Sequence, residues 1–182
     1  MRYFKKLIGD RIYLSPINKE DYEKYTEWIN DIEISMNLGN AHQIYTLHKE
    51  KEFLEEVSEN SFAIILKEND QLIGNCGLID VEQVTKKAEL GIFIGEKEYL
   101  NRGYGTEAIK LLLDYGFNLL NLHNIMLEVF SFNKRAISCY KNVGFKEIGR
   151  RREAREIAGK KYDEVFMDIL ATEFTEGKIS VE

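Results

Sequence analysis

A Gly-x-Gly turn set directly between an apolar strand and an amphipathic helix is the feature that most narrows what this chain can fold into. The segment reads Tyr99-Leu100-Asn101-Arg102-Gly103-Tyr104-Gly105-Thr106-Glu107-Ala108. It follows the apolar run 88–94 and leads into residues 106–119, where Ala108, Leu112, Tyr115 and Leu119 recur on one helical face. Backbone N–H groups at a helix start, unshielded at two glycines, can donate to phosphate oxygens while the helix dipole favours their charge. The turn therefore suits a pyrophosphate. Two glycines also serve an ordinary tight strand-to-helix turn, and the local sequence leaves both readings open. No Gly-Lys-Ser/Thr follows, as a Walker P-loop would require, and the third glycine and first-strand position of a dinucleotide fingerprint are lacking.

Around this turn the hydrophobic period switches along the chain. Residues 11–16 read as a short strand. Tyr22, Tyr25, Trp28 and Ile29 then recur at helical spacing after Asn18, and a second helix is expected from a Thr46 N-cap to about Ser58, with Leu47, Leu54 and Val57 as its apolar stripe. Glu50, Glu52, Glu55, Glu56 and Glu59 crowd its other face. Residues 62–67 and 72–79 form a hairpin about the polar turn 68–71, and 88–94 is a third, central strand. Strand 124–129, a helix over 134–143 stopped by Gly144 with Phe145 beyond it, and closing strands 145–152 and 161–170 about Gly159 complete the order.

Composition bounds the function. With 182 residues, 44% hydrophobic and 12% aromatic, the chain can bury a core of single-domain size, so one domain over 1–182 is expected. No apolar run approaches the ~20 residues of a membrane span, and no secretory leader is evident, so the expectation is a cytoplasmic protein without a membrane partner. Cys76 and Cys139 lie far apart and His42, His48 and His123 are scattered, which points to reduced thiols and no metal site. A net charge of -6 disfavours nucleic acid as a partner and suits a cationic, amine-bearing substrate.

Downstream of the glycine loop stands Asn133-Lys134-Arg135-Ala136-Ile137-Ser138-Cys139-Tyr140-Lys141-Asn142-Val143-Gly144-Phe145. Together the two segments closely resemble the GNAT superfamily of N-acetyltransferases, and the resemblance runs from Arg11 to Leu170. Ala88-Glu89-Leu90-Gly91-Ile92-Phe93-Ile94, Gly149-Arg150-Arg151-Arg152-Glu153 and Leu120-Asn121-Leu122-His123 are similar to the branch holding ribosomal-protein N-terminal and spermidine acetyltransferases. Leu100 departs from the Gln or Arg of the family's loop pattern. The resemblance implies an α+β GNAT fold, with a mixed, strongly twisted sheet of six or seven strands flanked by about four helices. It implies acetyl-CoA as co-substrate, no metal, and direct transfer to a primary amine, most directly a protein or peptide N-terminus, with a polyamine or other small amine as the alternative acceptor. An acetyl-CoA sensor without turnover is the non-enzymatic rival, and the oligomeric state, a homo-oligomer included, is left open.

The resemblance also distributes roles. Backbone near Phe93 and Ile94 would pair with the pantetheine arm, and the amides of Arg102, Gly103, Tyr104, Gly105 and Thr106 would hold the pyrophosphate. Asn133 would contact the cofactor arm, although Asn at a helix start is equally an N-cap. Tyr140 would protonate the leaving thiolate, while its spacing with Ala136 and Val143 also fits a core aromatic. Glu89 is the candidate base, acting directly or through water. The basic cluster Arg150, Arg151, Arg152 and Arg155 would meet the adenosine 3'-phosphate, an acidic partner or only water.

Overall fold

A computed structural model describes residues 2–57, 59–177 and 179. Among them are eight strands and five α-helices: β1 Leu7–Ile8, β2 Ile12–Pro16, α1 Tyr22–Asn30, α2 Ile32–Leu38, α3 Leu47–Glu56, β3 Ser61–Leu66, β4 Leu72–Glu82, β5 Lys87–Ile94, α4 Tyr104–Asp114, β6 Asn124–Phe130, α5 Lys134–Val143, β7 Lys146–Ile157 and β8 Lys160–Leu170. The strands form one mixed sheet in the order β1-β2-β3-β4-β5-β6-β8-β7. The architecture is the expected α+β one, with more strands and helices than the spacing had suggested. The chain divides into two compact units, Met1–Gly77 with Ile92–Leu111, and Leu78–Gly91 with Leu112–Glu182.

In the first unit β1, β2, β3 and β4 pair antiparallel in succession, with Leu7 opposite Leu14, Tyr13 opposite Ile65 and Phe62 opposite Cys76. Tyr25 and Trp28, three apart on α1, turn inward onto a core that includes Tyr3, Tyr13, Leu54 and Ile65. The additional helix α2 has a local cause. Asp31 leaves α1 in an extended conformation, and its carboxylate accepts from the N–H groups of Glu33 (2.9 Å) and Ile34 (3.2 Å), capping a new helix. Gly39 ends it at φ 79°. The apolar residues there, Ile32, Ile34, Met36 and Leu38, fall at every second position, so the helical period is hidden. Lys97 Nζ lies 2.8 Å from the same Asp31 carboxylate and holds its pKa below the ordinary value.

The first helical turn of α3 begins at the predicted Thr46 cap, whose hydroxyl accepts from Lys49 N–H at 3.2 Å. The helix ends at Glu56, and the predicted limit Ser58 lies outside the described residues. Glu50 does not stand on the solvated face with its neighbours. It is 2% exposed, because it lies one turn before the buried Leu54, on the face that α3 packs against α1.

The second unit is built on β6, which pairs antiparallel with β8 from Asn124 opposite Leu170 to Phe130 opposite Glu164. β8 in turn pairs with β7. β7 runs beyond the expected limit at Arg152, with a register shift between Arg151 and Arg155 and Glu153 at φ 51°. A bulge resets the ladder there, and the half-buried Ala154, Arg155 and Ile157 with the exposed Glu156 continue it. The predicted helix 106–119 starts two residues early and ends in a π-helical turn, Tyr115–Leu119. Gly116 sits in that turn where a Cβ would lie 2.7 Å from Ile125 Cδ1 and 3.0 Å from Leu78 Cδ1, so the wide turn accommodates close packing on the sheet.

Gly95, just beyond β5, has backbone dihedrals open to any residue, yet a Cβ there would fall inside the Trp28 indole. Gly95→Ala is therefore expected to displace Trp28 and lower stability by about 1–3 kcal/mol. Gly91→Ala, with nothing within 4 Å of the added carbon, should change it by less than about 1 kcal/mol. Urea denaturation midpoints of the two variants check this pair.

Candidate functional site

Helix α4 opens at Tyr104, directly after Gly103 at φ 85°, a left-handed conformation that disfavours a side chain. The Gly103 carbonyl accepts the Glu107 N–H at 3.0 Å, the first intrahelical bond. The N–H groups of Tyr104 and Gly105 precede it and have no acceptor within the helix. With the helix dipole behind them they have the arrangement that suits an anion.

The turn is held from the side by residues that the motif does not include. Arg11 Nη1 donates to the Arg102 carbonyl (2.8 Å), and its Nε lies 3.1 Å from the Glu107 carboxylate. The Arg11 guanidinium also stacks 4.4 Å over the Tyr104 ring. Glu107 Oε1 accepts the backbone N–H groups of Arg11 (2.8 Å) and Ile12 (3.3 Å), which ties the β1–β2 turn to the start of α4. Gly9 is needed there, since a Cβ would collide with the Glu107 carboxylate. Sequence reasoning missed this clamp because a glutamate in a first helical turn is ordinarily explained by the dipole alone. Gly9 near Arg11 was the only local signal. Arg102 itself is exposed, and its guanidinium lies 6.0 Å from the Tyr99 ring centroid.

Phe93 and Ile94 end β5 in the same unit as the turn. A Cβ on Gly105 would lie 3.9 Å from Ile94 Cγ1, so strand end and loop are neighbours. On the other side a Cβ on Gly74 would overlap the Phe93 carbonyl and approach Ile94 Cα at 2.9 Å. The parallel register of β5 with β6 covers only Lys87, Ala88 and Glu89, opposite Asn124, Ile125 and Met126. The last five residues of β5 thus run on past that register, which suits a strand whose edge groups pair with an extended ligand arm. Glycine-lined backbone, an open helix start and the strand end fit a pyrophosphate with a pantetheine-type tail.

Glu89, Asn133 and Tyr140 belong to the second unit. Glu89 is half-buried on β5, and burial together with the nearby Asp80 pushes its carboxyl above the ordinary pKa. The same field extends to Glu128, raised by burial and then by Glu164 and Glu89, with Arg151 opposing. Asn133 is the N-cap of α5, its side-chain oxygen accepting from Ala136 N–H at 3.1 Å. Tyr140 is 8% exposed and meets Phe145 edge-on at 5.8 Å. Burial raises its pKa, so the phenol keeps its proton at neutral pH. Arg150 pairs with Glu147, and Arg151 lies 3.4 Å from Glu164. Cys76 and Cys139 form no disulfide, and among the described residues no cluster of His, Cys, Asp and Glu could hold a metal.

Comparison with known proteins accords with this geometry. Residues 14–166 match the family described as the acetyltransferase (GNAT) domain. The chain is 28% identical over 174 residues to the "Uncharacterized N-acetyltransferase p20" of Bacillus licheniformis, covering 92% of this chain and 97% of that protein. It is likewise 28% identical over 174 residues to the spermidine N(1)-acetyltransferase of Vibrio cholerae, covering 96% and 89%. Among solved structures, the V. cholerae spermidine N-acetyltransferase in complex with CoA and spermine superimposes with a TM-score of 0.80 at 27% identity, covering 90% of this chain and 97% of that one.

Arg11→Ala removes the side support of the loop without touching its N–H groups. It is expected to weaken acetyl-CoA binding about tenfold, as measured by titration calorimetry, and unchanged affinity would show that the loop holds its shape unaided.

Proposed function

The chain belongs to the GNAT acetyltransferase family and is an acetyl-CoA-dependent N-acetyltransferase, and we propose that its acceptor is a polyamine of the spermidine class. The observation that carries this reading is the carboxylate field around Glu89: burial and then Asp80 raise the Glu89 pKa, and burial and then Glu164 and Glu89 raise that of Glu128, with Arg151 opposing. Carboxylates crowded and partly desolvated in this way favour a ligand with several positive charges, which lowers the cost of keeping them ionised. The relatives named for spermidine and spermine support the polyamine over the protein N-terminus expected first from sequence.

In the proposed reaction the acceptor arrives as an ammonium ion and must lose a proton before its nitrogen can attack. Glu89 takes that proton, directly or through water; its raised pKa makes it a better base than an ordinary carboxylate. The nitrogen lone pair attacks the thioester carbonyl, the C–S bond breaks, the departing thiolate takes the proton of Tyr140, and the acylated nitrogen gives up its remaining excess proton to solvent. Solvent then resets both groups. The backbone of Phe93 and Ile94 positions the pantetheine arm, the turn from Arg102 through Thr106 holds the pyrophosphate, and Asn133 fixes the start of the helix that carries Tyr140. Catalysis is largely positioning.

Thiol release from acetyl-CoA is the direct assay, with spermidine, basic N-terminal peptides and an aminoglycoside as acceptors. Turnover confined to spermidine supports the reading, and turnover confined to peptides overturns it. Tyr140→Phe and Glu89→Gln are each expected to lower kcat by about a hundredfold or more while acetyl-CoA still binds. In the wild-type enzyme kcat/KM should fall as pH drops through the Glu89 pKa, which burial and Asp80 raise from its ordinary value. Glu89→Gln should abolish that acidic limb.

A further inference from the structure

The interior of the first unit holds two polar atoms that the catalytic scheme does not use. Glu50 and Tyr25 are each 2% exposed, and Glu50 Oε2 and the Tyr25 hydroxyl have no hydrogen-bond partner among the described residues. Buried carboxylates are normally paired, and unpaired ones are costly to keep. No salt bridge to Glu50 is found among the described residues. Its sequence neighbour Lys49 is directed at the Tyr45 ring, 4.3 Å from Nζ to the centroid. Burial accordingly raises the Glu50 pKa, with only Lys49 opposing; burial likewise raises that of Tyr25, with smaller contributions from Tyr3, Cys76 and Glu50.

The surroundings specify the missing partner. Tyr25 meets Trp28 edge-on at 5.4 Å, and Trp28 meets Phe93 edge-on at 5.9 Å. A string of rings thus runs from the orphaned hydroxyl to the strand end assigned to the thioester arm. One carboxylate oxygen, one hydroxyl and aromatic rings are too few ligands for a metal ion. They match a primary ammonium, whose three N–H donors can satisfy Glu50 and Tyr25 together while its alkyl chain lies along the rings. Helix α3, which carries Glu50, packs chiefly on α1 and the turn Lys19–Asp21 and leaves Leu47 and Phe53 half exposed.

We propose that Glu50 and Tyr25 form a subsite for the second, unacetylated ammonium of the acceptor, which sets the preference for a diamine over a monoamine. The proposal rests on the polyamine reading above and deepens it. Glu50 here is a specificity determinant that touches substrate away from the reacting atoms.

The test compares wild type with Glu50→Gln and Tyr25→Phe, using spermidine and n-butylamine as acceptors, with CoA binding and thermal denaturation measured in parallel. Glu50→Gln is expected to raise KM for spermidine about tenfold or more. KM for butylamine, kcat and CoA affinity should stay within about twofold. Removing a buried, unpaired acid should leave the melting temperature at neutral pH unchanged or higher, whereas a merely structural role would lower it and leave the spermidine-to-butylamine ratio untouched. If wild type acetylates spermidine and Glu50→Gln does so with unchanged KM, the subsite is refuted and the polyamine reading stands. Wild type that ignores spermidine and acetylates peptides refutes the polyamine reading, and the subsite with it. Should Glu50→Gln fail to fold, Tyr25→Phe decides the matter, and an unchanged spermidine KM in that variant overturns the proposal.

Discussion

Three residue pairs, Lys87, Ala88 and Glu89 against Asn124, Ile125 and Met126, make up the register that β5 shares with β6 among the described residues, and the last five residues of β5 run on beyond it. Backbone N–H and C=O groups need partners. A strand that outruns its neighbour has either to bend back, meet solvent or accept an extended ligand. Gly74 brings β4 so close to Phe93 and Ile94 that no side chain fits between them, which leaves the opposite edge as the one available to a ligand. Glu89 is the last residue of the shared register.

The turn after β5 meets a second constraint. Backbone amides bind phosphate well only when they are held in place beforehand, and glycines make a loop supple as well as accessible. Arg11 and Glu107 resolve that conflict from outside the loop, gripping a carbonyl on one side and two N–H groups on the other. The glycines give access, and the clamp limits the motion that comes with it.

Elements governed by local rules were legible in the sequence. Helix α5 begins at its Asn133 cap and ends at Gly144, because caps and left-handed stops are written within a few residues. The glycine loop was likewise visible, and so was the turn of Tyr25 and Trp28 toward the interior. What escaped was non-local or disguised. Helix α2 carries its apolar residues at strand spacing and exists because Asp31 caps it. β7 continues past a bulge without an apolar pattern. Glu50 was counted with its charged neighbours although its position one turn before Leu54 turned it inward, and the Arg11–Glu107 clamp joins segments far apart in sequence. Residue type argued for solvent at position 50, and periodicity argued for burial; periodicity was the better guide.

The Asp31–Lys97 pair bears on how the protein meets acid. A carboxyl with a depressed pKa contributes its stabilisation above its unfolded pKa and loses it only as pH falls through the lower folded value. Asp31 is displaced downward by Lys97, while Glu89 is displaced upward by burial. Along a falling pH axis the two therefore titrate in a set sequence, Glu89 first and Asp31 last. The tie between the α1–α2 corner and the approach to the glycine loop therefore outlasts the ionised form of Glu89, and mild acid that has already neutralised the strand carboxyl leaves the corner its ion pair.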